Sequence, residues 1–295
     1  MQPAEPRSGN IYDLGYRHYE GVRLGRQAAV VSLYLYTLRG SFGLGRRTGA
    51  KIMPIAITII AFIPAVVQLG IAGLLTTQVE IIRPENYFEF VQVPVALFCA
   101  AVAPEICGRD MRQRTLSLYF SRALSRVDYA LAKLAAFTTA LMLVTLVPQA
   151  VLVIGNGLAS DDLVEYLGDN WADLPRTIGG GVAIAATAAA VSLAIASQTS
   201  RRSYATVAVV AWFLLTLPIS AILIFEIGGG GQLAVLFSPF FFLEGAVLWI
   251  FDVRPGIDSA PREAGFPMWT YGLAVVAHVA AGTAVTVRRF MRIVA

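Results

Sequence analysis

His18 and His278 are the only histidines of this 295-residue chain, and Cys99 and Cys107 its only cysteines. Neither pair is spaced for catalysis. No H-E-x-x-H, Cys/His cluster or G-x-S-x-G occurs, so hydrolase, protease and metal-centre chemistry lack the residues they need. The two cysteines stand about 12 Å apart along one predicted helix, beyond disulfide reach, and read as packing residues. The nearest approach to a phosphate-cradling loop is Gly45-Arg46-Arg47-Thr48-Gly49-Ala50-Lys51, which lacks the G-x-x-x-x-G-K-[ST] spacing. The chain is therefore expected to be no enzyme, to hydrolyse no ATP itself and to carry no cofactor. What the sequence does concentrate is Ser and Arg, in EICGRDMRQRTLSLYFSRALSRVDYALAK, Glu105 to Lys133. Arginine forks make paired hydrogen bonds to carboxylates, which is the chemistry of docking.

The elements around that stretch are apolar. Hydrophobic residues make up 57% of the chain and charged residues 14%, against about 25% charged in soluble domains. No charged residue falls between Lys51 and Glu80, Lys133 and Asp161, Arg176 and Arg201, Arg202 and Glu226, or Glu263 and Arg288. Each gap exceeds the ~20 residues a helix needs to cross the hydrocarbon layer while satisfying its own backbone. A sixth span, over 88–107, rests on the 15 uncharged residues Phe90 to Pro104, with Glu89 and Glu105 at its two interfaces. The expected fold is all-α and polytopic, with spans at 52–76, 88–107, 131–155, 177–199, 204–226 and 268–287. The stretch 233–251 is apolar but carries Pro239 and Glu244, so it reads as a re-entrant or outer helical element, with a full span as the alternative.

Six spans place the N-terminal tail, the 108–130 loop, Arg201–Arg202 and the C-terminus on one side, which then holds 19 of the 23 Lys and Arg. The other side keeps 13 of the 19 acidic residues, including Asp161, Asp162, Glu165, Asp169 and Asp173. The positive-inside rule puts both termini in the cytoplasm and the chain in the plasma membrane. The net charge of +4 is thus a topology signal and not a nucleic-acid footprint. Residues 1–51 form a cytoplasmic tail, without a signal-peptide pattern, and an amphipathic segment, Val22 to Gly40. Its 11-residue apolar core between arginines suits a helix lying on membrane lipid, or one packed on a partner. Residues 52–295 form the transmembrane domain. Pro54, Pro64, Pro94, Pro148 and Pro218 can kink the spans, and Gly181, Ala185 and Ala189 offer a close-packing stripe. No Asp, Glu, Lys or Arg lies near the centre of the five strong spans, which counts against a proton- or sodium-coupled carrier.

Within the 108–130 loop, Leu116, Tyr119, Phe120, Ala123, Leu124 and Val127 recur as one face of a helix, with serines and arginines on other faces. Such a helix either docks into a soluble partner or rests on anionic lipid. The order Asp110, Thr115-Leu116, Ser121-Arg122-x-x-Ser125-Arg126, Tyr129 and Lys133 resembles the short motif of ABC exporter permeases of the type 2 class. Arg114 stands where that motif has glycine, and Ala123 where it has proline. The resemblance also covers the six-span layout, the amphipathic N-terminal helix and the insertion before the last span. It implies a transport subunit whose 108–130 loop is a coupling helix seated in a separate ABC ATPase subunit, which binds the ATP and magnesium. Asp110, Thr115, Leu116, Tyr119, Ser121, Arg122, Ser125 and Arg126 are then the expected coupling contacts. A second permease copy, or a related permease, would complete a pathway exporting a hydrophobic or amphipathic substrate. A membrane anchor for a cytoplasmic complex, and a secondary transporter or channel independent of ATP, remain open alternatives.

Overall fold

The computed structural model describes residues 21, 24–74, 83–121, 124–160, 162–227 and 229–292; the expected tail over 1–20, Asp161, Arg122 and Ala123 lie outside them. Every regular element among the described residues is helical. In chain order these are α1 (Arg26–Ser41), α2 (Gly49–Ala61), α3 (Ile63–Leu74), α4 (Pro84–Arg112), α5 (Leu116–Phe120), α6 (Arg126–Ala159), α7 (Leu163–Asp169), α8 (Asp173–Ala196), α9 (Arg202–Ile222), α10 (Pro239–Phe251), α11 (Ala260–Ala264) and α12 (Trp269–Met291). A π turn, Leu223–Ile227, and a 3-10 helix, Gly229–Leu236, join α9 to α10.

The chain is an all-α polytopic membrane protein. Six stretches are long and apolar enough to span: Gly49–Ile71, Pro84–Arg112, Arg126–Leu158, Asp173–Ala196, Arg202–Ile227 and Trp269–Met291. They overlie the six expected segments. The first is broken between α2 and α3 at Phe62, two residues before Pro64, whose missing N–H removes a helical hydrogen bond. The second is longer than its uncharged core. Pro84 opens it at a position where a missing N–H is harmless, and it runs on past Glu105 to Arg112. The apolar stretch before the last span is split. Its 3-10 helix and α10 meet at 78°, just ahead of Pro239.

α8 is the centre of the bundle, packed against α4, α6 and α12. Ala185, Ala188, Ala189 and Ala196 are fully buried, so neighbouring helices come close. Gly282 of α12 shows how close: a Cβ there would sit 2.6 Å from the Ala190 carbonyl carbon. Buried hydroxyls fold back on their own helices, Thr145 donating to the Leu141 carbonyl and Thr286 to that of Gly282. His278 behaves similarly. Its Nδ1 lies 2.8 Å from the Ala274 carbonyl oxygen and its ring stacks on Phe242, with centroids 4.4 Å apart.

α1 overlies the segment expected as an amphipathic helix on lipid or on a partner, and it leans along α6 with Val31, Leu35 and Tyr36 exposed. Arg26 holds Asp128 with two 2.7 Å bonds, and the Tyr34 hydroxyl donates to Thr139 at 2.9 Å. Phe42, just past its end, meets Phe98 of α4. Its buried stripe is Leu33, Thr37 and Ser41, whose hydroxyls bond the carbonyl four residues back. A stripe this narrow and self-satisfied can pack closely against a neighbour. The chain then reverses through Gly43, at φ +70°, where a Cβ would strike the Ala50 carbonyl.

Candidate functional site

α4, α5 and α6 build the segment that the sequence singles out. α4 stops at Gln113, whose N–H bonds the Arg109 carbonyl, and Arg114 follows at φ +52°. That is the left-handed region, where glycine carries no steric penalty and arginine does. Arg114 therefore occupies a glycine-like turn, at the position where the resembling motif has glycine. The turn closes when the Thr115 N–H and hydroxyl both donate to the Asp110 carbonyl, at 3.1 and 3.4 Å.

The expected single helical face over Leu116 to Val127 is corrected. α5 has five residues, and α6 begins afresh at Arg126. The restart has a local cause. The Ser125 hydroxyl accepts from the Asp128 N–H while the Asp128 carboxylate accepts from the Ser125 N–H, a reciprocal capping box. The third span accordingly opens five residues earlier than 131. Leu116 and Leu124 are still buried, but from different elements.

Beneath this corner is a buried polar triad. The Asp110 carboxylate accepts from Lys133 Nζ at 2.5 Å and from the Tyr129 hydroxyl at 2.6 Å. Lys133 also donates to the Ile106 carbonyl. The Lys133 and Asp110 side chains are 5% and 11% exposed. Around Tyr129 gather the rings of Tyr119, Phe120 and Phe290, 5.0 to 5.7 Å away, so that α5, α6 and α12 share one aromatic cluster. Burial, and then the nearby Asp110 carboxylate, push the Tyr119 hydroxyl above its ordinary pKa.

The expected contacts thus divide. Asp110 and Leu116 are buried and cannot meet a partner directly. Thr115 and Ser125 close the turn and cap α6. Arg126 is exposed but committed: it donates to the Met291 carbonyl at the end of α12, at 3.0 Å, and lies over the Phe120 ring. Tyr119 and Ser121 do reach the surface, while Arg122 lies outside the described residues. The surface residue that periodicity missed is Leu118, 65% exposed on the opposite side of α5 from buried Leu116. Leu118, Tyr119 and Leu124 form one wall of an apolar groove of about 550 Å³, and Leu24, Ala28, Leu33 and Tyr36, from α1 and the residues before it, form the other.

A second cluster went unread in the sequence. Glu105 of α4 receives Arg46 at 3.5 Å, Arg112 at 3.4 Å and Arg202 at 3.2 Å, from three parts of the chain. Arg112 also reaches the Ser200 carbonyl, and Arg289 that of Ser197. All of these contacts lie at the end of the bundle that carries the arginines. Among the described residues no three His, Cys, Asp or Glu side chains come together to share a metal ion. Comparison with known proteins gives no matching family model and no matching curated protein.

Proposed function

We propose that this chain is the membrane-spanning permease subunit of a type 2 class ABC transporter, and that its basic end docks a separate ATPase subunit in the cytoplasm. One observation carries the reading. A short helix with an exposed leucine is held rigidly at the tip of two spans, beside an apolar groove. Force applied to α5 passes to α4 and α6 through the Asp110–Tyr129–Lys133 triad and to α12 through Arg126 and the Tyr129 rings. Leu118 and the groove supply apolar area for a partner, and the flanking arginines supply charge complementarity. ATP binding would draw two such motors together and rock two permease copies. Only 22% of the apolar stretches of α9 and of α12 is buried by the rest of the chain, against 72% for α4, which leaves faces for a second copy and for lipid. Uncharged span centres favour a hydrophobic or amphipathic substrate moved outward.

The test is co-expression with a candidate ABC ATPase, the first choice being one whose reading frame neighbours that of this chain. The two should co-purify in detergent, and the reconstituted complex should show substrate-stimulated ATPase activity. Leu118→Glu should abolish co-purification while the protein still inserts. Transport by the permease alone, or full binding by Leu118→Glu, would overturn the reading.

A further inference from the structure

Arg109 is a half-buried guanidinium with no matching anion among the described residues. It lies in the last turn of α4, facing a small cleft shared with Tyr36 and Thr37 of α1, Arg46, Glu105 and the Asp110–Lys133 pair. Lys133 is engaged by Asp110 and the Ile106 carbonyl. Glu105 is divided among three arginines at 3.2 to 3.5 Å, Arg46 the farthest. The Arg109 guanidinium makes no hydrogen bond or ion pair with any described residue. Five cations, Arg46, Arg109, Arg112, Lys133 and Arg202, therefore face two carboxylates, Glu105 and Asp110. Arg112 and Arg202 reach water, with 34% and 61% of their side chains exposed, but Arg46 is only 21% exposed. A guanidinium drawn partly out of water without an anion is unfavourable, and its planar fork matches the oxygens of a phosphate.

We infer that the cleft between α1 and the end of α4 binds a phosphate oxyanion, supplied by the headgroup of an anionic membrane lipid. The surroundings favour lipid over free phosphate. Arg46 lies in the turn that leads into α2, beside exposed Leu44, and α2 presents Ile52 and Met53 outward, 62% and 57% exposed. Acyl chains laid along that face begin within two helical turns of the cleft. Exposed Tyr36 lines the cleft as well, an aromatic side chain of the kind that meets headgroups at the membrane interface. The inference is independent of the permease reading and requires only that the chain span a membrane.

The experiment uses the full chain purified in a neutral detergent, with binding read by native mass spectrometry and by thermal unfolding. The probes are phosphatidylglycerol, phosphatidylcholine and inorganic phosphate. Phosphatidylglycerol is expected to remain bound and to raise the unfolding temperature, and the other two are not. Arg109→Gln should weaken phosphatidylglycerol binding about fivefold, as expected for one basic residue at a lipid surface. Because the Arg109 guanidinium has no partner to lose among the described residues, the lipid-free unfolding temperature of that variant should be unchanged. Exposed Arg47, next along the chain and outside the cleft, serves as control: Arg47→Gln should bind as the parent does. Unchanged binding by Arg109→Gln, or equal stabilisation by phosphatidylcholine, overturns the site. Equal stabilisation by inorganic phosphate overturns the lipid as its source. A photoactivatable phosphatidylglycerol should label residues 36–47 and 105–112 of the parent chain, and labelling confined elsewhere refutes the site whatever the variants do.

Discussion

Asp110→Ala removes the acceptor of two charge-assisted bonds and leaves the Lys133 ammonium inside the protein with only the Ile106 carbonyl. With both side chains about nine-tenths buried, solvent cannot compensate, and breaking such a pair costs roughly 3–5 kcal/mol. Lys133→Met keeps an apolar stem but strands the carboxylate on the Tyr129 hydroxyl, so its cost is expected in the same range. Tyr129→Phe removes one bond to a charged acceptor, about 1.5–3 kcal/mol. Removing both charges in Asp110→Leu/Lys133→Met should cost far less than the sum of the two singles, because no ion is then left unpaired. Equilibrium unfolding in micelles, followed by tryptophan fluorescence, measures all four. A local readout separates the corner from the bundle: the Asp110 carboxylate ties the end of α4 to Tyr129 and Lys133 of α6, so Asp110→Ala should speed tryptic cleavage at Arg112 and Arg114 before the bundle unfolds. Single variants costing less than about 1 kcal/mol, or a double variant equal to the sum, would refute the triad as the fastening of this corner.

Arg114→Gly should be neutral or stabilising by up to ~1 kcal/mol, since relief of the positive φ outweighs or balances glycine's greater unfolded freedom. Arg114→Val should be clearly worse; the reverse order in thermal unfolding would argue against this turn. Gly282→Val places atoms into the Ala190 backbone and should cost about 1–3 kcal/mol or more by overpacking, whereas Gly256→Val, with open space around it, should be tolerated on that account. Leu118→Glu should leave unfolding within about 0.5 kcal/mol of the parent, as exposed positions usually do, while abolishing ATPase co-purification. A destabilised Leu118→Glu would show that the residue packs rather than docks.

The spans were readable because lipid imposes a crude rule, long uncharged runs, that survives without knowing any contact. Where the rule met Pro64 and Pro239 it also marked the two breaks. The Leu116–Val127 face misleads because the apolar residues of α5 and those leading into α6 fall at intervals that mimic one helix, although the chain restarts between them. The corrective was in plain view: Ser125 and Asp128 at capping-box spacing, three residues apart. Asp110, Tyr129 and Lys133 were noticed as a pattern, yet Asp110 was taken for a surface contact, because spacing along a chain does not reveal which way a carboxylate points. Glu105 reads from the sequence as an interfacial carboxylate, but its three arginines come from separate parts of the chain and no local signal links them. Leu118 was passed over since a lone apolar residue off the main stripe is usually unremarkable.

Among the described residues, every ion pair that joins two elements lies at the arginine-bearing end: Arg26–Asp128, Arg46–Glu105, Lys133–Asp110 and Arg202–Glu105. Elsewhere the helices meet mainly through apolar faces, and lipid tails can replace such contacts with little loss. The ion pairs therefore fasten the helices at one end, with Glu105 as the rivet that joins three parts of the chain. Pro84, at the far tip of α4, is about 30 Å from that rivet at ~1.5 Å per residue. A tilt of roughly 5° at the riveted end would swing that tip by nearly 3 Å.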